Sequence, residues 1–129
     1  MNVRHFTIPL TPTSKNPWTR MHWSKRAAIK QEWEAFVWAF VNEKPRMPRP
    51  LPHVRCDVVV GWDKPGPFPD SINLEMAFEV ISDGLVKAGI IPNDRTEFER
   101  GTLGLTHGDG STLVVLRYDD LSPNKGKSR

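Results

Sequence analysis

The chain has 129 residues, room for one hydrophobic core and too few for two, so a single domain is expected. Its formal net charge of +3 is split unevenly, with ten Lys or Arg against three acids in residues 1–55 and eight against twelve in residues 56–129. A phosphate-binding surface beside an acidic centre produces such a division, and so does ordinary solvated surface charge. No run approaches the roughly 18 apolar residues of a membrane span, the opening Met1-Asn-Val-Arg-His-Phe6 lacks a signal-peptide layout, and the lone Cys56 excludes a disulfide framework or thiolate cluster; a cytoplasmic protein without membrane contact is expected.

Val3 to Leu10 reads as a first strand, with Phe6, Ile8 and Leu10 on one face and Pro9 and Pro12 marking its end. Thr11 to Trp23, rich in Pro, Ser, Asn, Arg and aromatics, reads as a loop. Ser24 then caps a helix whose Ile29, Trp33, Phe36 and Phe40 recur along one face. The prolines of Lys44 to Pro52 bar helix interior and leave a basic connector, with Arg46 and Arg49 as solvated charges. Arg55 to Trp62 is a strand; its consecutive Val58, Val59 and Val60 suggest cover on both faces, and Cys56 within it is a buried thiol.

After the stiff loop Asp63 to Pro69, a helix is predicted over 71–88, capped by Asp70 and ended by Gly89. Leu74, Ala77, Phe78, Ile81 and Leu85 form its core stripe, while Ile72, Met76, Glu79 and Asp83 fall on the opposite side at about 100° per residue. Two strands, about 98–106 and 112–118, flank His107-Gly-Asp-Gly110, whose Asp-Gly step suits a tight hairpin. Residues 119–129 form a polar tail, expected to be disordered. The order β-α-β-α-β-β predicts an α/β fold, with two main helices on a mixed sheet of about four strands, all within residues 1–118.

The acidic segment carries a family resemblance. Asp70-x-x-Asn73-Leu74, Asp83-Gly84-Leu85, Ala88-Gly89 and Pro92-Asn93-Asp94, in that order, resemble the signature of RusA-type Holliday-junction endonucleases, encoded chiefly by phages and prophages. The usual form there is Asp-x-Asp-Asn-Leu, Asp-Gly-Leu, Ala-Gly and a closing Asp-Asp. Ile8-Pro-Leu-Thr-Pro-Thr-Ser-Lys-Asn16 followed by Arg20-Met-His-Trp23 is similar to the family's opening strand and polar loop. The resemblance spans most of the chain and departs from the pattern at Ile72 in place of the second aspartate, at Glu79 in place of a helical lysine, at Asn93 in place of an acid, and at Lys64 to Pro69 in place of a basic approach. It implies a small RusA-like homodimer, acting in a bacterial host, that binds branched DNA such as a four-way junction. It further implies Mg²⁺-assisted phosphodiester hydrolysis, with Mn²⁺ as an alternative metal. Magnesium takes oxygen ligands, commonly one or two carboxylates with several waters, and bound metal activates a water and stabilises the leaving alkoxide without a protein nucleophile.

By position, the resemblance makes Asp70, Asp83 and Asp94 the catalytic metal ligands and Asn73 a supporting motif residue; Glu79, which departs from the family pattern, is a further catalytic candidate through its place beside Asp83 on the stripe. Each acid also has a plainer reading: Asp70 as a cap, Asp94 as part of a turn, Glu79 and Asp83 as the solvated side of a helix. Candidate DNA contacts are Lys15, Asn16, Arg20, His22, Lys25, Arg26 and Lys30, where the polar loop leads into the helix. Trp18 or Trp23 either stacks on an unpaired base or packs in the core. His5, His53 and His107 lack metal-ligand spacing. Two outcomes stay open at the acidic centre. Either Glu79 beside Asp83 restores the acid count, with mutual repulsion relieved by a cation, or Ile72 and Met76 make the stripe apolar and the fold binds DNA or protein without cutting.

Overall fold

A computed structural model of the chain describes residues 1–93 and 96–119. Asp94 and residues 120–129 of the expected tail lie outside them. The elements in chain order are β1 (Asn2–Ile8), α1 (Lys15–Arg20), α2 (Trp23–Val41), β2 (Val54–Trp62), a 3₁₀ turn (Ser71–Leu74), α3 (Met76–Lys87), β3 (Phe98–His107) and β4 (Thr112–Tyr118). The four strands form one mixed sheet in the order β1-β4-β2-β3, antiparallel at the first two seams and parallel between β2 and β3. This is the expected α/β fold. No helix among the described residues is long and apolar enough to cross a membrane.

Twofold alternation sorts the strands into two faces. Val54, Cys56, Val58 and Val60 of β2 and Val114, Leu116 and Tyr118 of β4 join Trp33, Val37 and Val41 of α2 and Ala77, Phe78, Ile81 and Leu85 of α3 in one core. Burial pushes the Cys56 thiol pKa far up, which leaves it inert. The other face departs from the expectation of a doubly covered β2. There Val59 is half-buried beside Arg55, and Val3 and His5 of β1 are exposed, so the helices cover the sheet on one side.

Local sequence misplaces five features. The predicted tight hairpin does not form, because β3 pairs with one edge of β2 and β4 with the other. Gly108 and Gly110 donate their amides to the carbonyls of Trp62 and Gly61, so the loop carries the chain across the end of β2. A Cβ at Gly108 would lie 2.7 Å from the Cα of Gly61, an approach only glycine permits. The predicted loop 11–23 contains α1, since Pro17 lies in the first turn, where its missing amide costs nothing. Helix α2 starts one residue before Ser24; the imidazole Nδ1 of His22 accepts the Ser24 amide at 3.2 Å and caps the helix.

The predicted helix 71–88 is divided. Asp70 begins the 3₁₀ turn, its carbonyl accepting the Asn73 amide at 2.9 Å, and its carboxylate makes no capping bond. Helix α3 starts afresh after Glu75 and ends, as expected, at Gly89, where φ is +78°. In the connector, Arg49 is no solvated charge. Its guanidinium donates to the carbonyls of Val41 and Ala88 at 3.1 and 3.0 Å, bracing the C-terminal ends of α2 and α3 together.

Candidate functional site

Glu79 and Asp83 are four residues apart on α3 and therefore share one face. Lys30 of α2 reaches across to both, its Nζ 3.2 Å from Glu79 Oε2 and 2.8 Å from Asp83 Oδ2. The indole N–H of Trp18 on α1 donates to Glu79 Oε1 at 3.4 Å. Three helices thus meet at one carboxylate. The hydrogen bond to Asp83 outweighs the opposing effect of burial and holds the Lys30 ammonium above the ordinary lysine value. The cation that relieves carboxylate repulsion here is a side chain of the protein.

A cleft of about 220 Å³ lies beside this pair. Trp18 and Met76, which are 5% and 6% exposed, give it an apolar floor, and Ile72 at its rim is 57% exposed. Asn73, Glu75 and Glu79 contribute polar groups, and Lys15 and Arg100 flank it. Arg100 leans toward Glu75, with Nη1 3.8 Å from Oε1, while its guanidinium lies 5.8 Å from the centre of the Phe78 ring. Behind the floor, Arg26 donates to the Trp18 carbonyl at 3.4 Å and sets its guanidinium 5.8 Å from the indole centre. Trp18 is therefore clamped between α2 and α3.

The sequence-derived candidates separate into three groups. Lys15, Asn16, Arg20, His22 and Lys25 are exposed on the α1–α2 corner, with Arg26 half-buried behind them. Lys30 belongs to the acidic pair rather than to the open corner. Asp70 is exposed at the head of the 3₁₀ turn, Asn73 lines the cleft, and Asp94 lies outside the described residues. Among the described residues there is no group of three or more His, Cys, Asp or Glu placed to hold a metal ion. Among the described candidate acids, Glu79 and Asp83 are the ones brought together. Their oxygens suit a hard cation that keeps several waters, but they fit one only when Lys30 withdraws from between them.

Sequence reasoning missed Glu75 and Arg100. At about 100° per residue a continuous helix would set Glu75 between the core stripe and the opposite side; here it follows the 3₁₀ turn and lines the cleft. Arg100 comes from β3 and carries no local signal of any kind. No protein-family model matches the chain, and no curated protein matches it.

Proposed function

We propose that this protein is a RusA-like endonuclease that binds branched DNA, the four-way junction above all, and hydrolyses its backbone with Mg²⁺ or Mn²⁺. The observation that carries the reading is adjacency. Lys15 of the cationic α1–α2 corner and Glu79 of the acidic α3 face line the same cleft. A strand whose phosphates rest on Lys15, Arg20 and Lys25 lies against the carboxylates.

In this reading Glu79 and Asp83 hold the metal, with Asp70 and Asp94 contributing as the family resemblance has them. Bound there, Mg²⁺ supplies Lewis-acid stabilisation and an activated water. Lys30 holds the two carboxylates together and would withdraw when a metal binds, and Trp18 fixes the orientation of Glu79. The corner cations position the backbone. A homodimer, as the resemblance implies, would present two such centres to the paired strands of a junction.

A second reading, binding without cutting, is favoured by the Lys30 ion pairs and by the exposed Ile72 in the motif. A cleavage assay on a synthetic four-way junction separates the two. The nuclease gives nicks with Mg²⁺ or Mn²⁺, lost in Asp83→Asn and Asp70→Asn while junction binding persists. Intact binding without nicks assigns the protein to the second reading, and the absence of salt-sensitive DNA binding ends both.

A further inference from the structure

We infer that the cleft between α1 and the start of α3 takes one unpaired nucleobase and prefers a base bearing an exocyclic amine. This rests on the DNA-binding reading above and names a ligand for a surface that phosphate contacts leave unused. Size comes first. At about 220 Å³ the cleft is smaller than the roughly 300–1,000 Å³ of sites for drug-sized ligands, so its occupant is a single ring system.

The walls suit a ring. Trp18 and Met76 close the floor, and the branched side chain of Ile72 stands uncovered beside them. Bases taken out of a stack are held between aromatic and apolar side chains of this sort.

The polar groups then select. Glu75 and Glu79 present carboxylates, which when ionised only accept hydrogen bonds. Glu79 is fixed by Trp18 and Lys30 rather than free to turn away. Cytosine, adenine and guanine offer exocyclic amines to such acceptors. Thymine offers one ring N–H between two carbonyls and meets the same carboxylates with like polarity. Lys15 and Arg100 on the rim offset the carboxylates and supply cations for the phosphates that flank an extruded base.

The test uses the full chain in EDTA and three fluorescein-labelled four-way junctions that differ in one unpaired branch-point nucleotide: cytosine, thymine or an abasic site. Fluorescence anisotropy should show the cytosine junction binding about five- to tenfold more tightly than the other two. Glu75→Gln should narrow the cytosine-over-thymine gap, and Ile72→Ser should bring the cytosine junction toward the abasic one. Both positions are exposed, and thermal melts verify that each variant is folded. Equal affinity for the three junctions overturns the inference and leaves the DNA reading standing, as does a preference that both variants retain in full. If no junction binds in a salt-sensitive way, the DNA reading fails and the inference fails with it.

Discussion

Lys30 sets one ammonium against two carboxylates, so the α3 face keeps a net negative charge while its repulsion is suppressed. The lysine competes with any metal for the same oxygens. Lys30→Gln keeps much of the side chain's length and removes that competition; Mn²⁺ binding measured by calorimetry should tighten about tenfold, equivalent to about 1.4 kcal/mol. Unchanged affinity would count against the proposed metal site at Glu79 and Asp83. On the opposite sheet face, Asp57 fills the register shift between β2 and β3. Its carboxylate accepts the Thr102 amide at 2.8 Å and the Thr102 hydroxyl at 3.1 Å, and pairs with Arg55 and Arg117. Gly101 is required beside it, since a Cβ there would meet Asp57 Oδ1 at 2.0 Å. Burial raises the Asp57 pKa, but the hydrogen bonds from Thr102 and Arg55 outweigh burial and hold it below the ordinary 3.8. Its contribution is therefore complete above that unfolded value and is lost as pH falls through the lower folded one. Asp57→Asn should cost about 2 kcal/mol at neutral pH. Melting temperatures of the two proteins should converge as pH drops below 3.8.

At the scale of elements, α2 and α3 approach closely because Gly84 faces Val37. A Cβ at position 84 would stand 3.1 Å from the Val37 Cβ, and Val37 is fully buried and β-branched, with little freedom to yield. Gly84→Ala should therefore lower stability by about 1 kcal/mol despite alanine's better helix propensity. Adding Val37→Ala should show positive coupling in a double-mutant cycle by chemical denaturation. Helix periodicity made the presence of α2 and α3 legible in advance, but the buried side of α2 is Trp33, Val37 and Val41, whereas Phe36 of the predicted face is exposed. The short α1 was not legible, since Pro17 resembles a breaker until its place in the first turn is known. The Asp109-Gly110 step misled for a related reason. Turn chemistry states that the chain bends, and the neighbouring backbone decides where it goes.

For the whole molecule, the split of charge along the chain becomes a cationic corner on α1 and α2 beside an acidic face of α3. The charge counts made the two halves visible, but not their adjacency. Lys30 meets Glu79 across 49 residues of sequence, and no local pattern encodes such a meeting. In the proposed complex, Arg20→Ala with Lys25→Ala should lower the slope of log affinity against log salt by about 2. Junction titrations over a range of salt concentrations measure it, and an unchanged slope would place the phosphates on another face. The order of the sheet has a consequence for synthesis of the chain. β4 is bonded to β1 on one side and β2 on the other, while β1 and β2 share no seam. β1 thus waits for β4. Until residues 112–118 have left the ribosome, β1 has no partner among the described strands, so closure of the sheet follows the synthesis of β4.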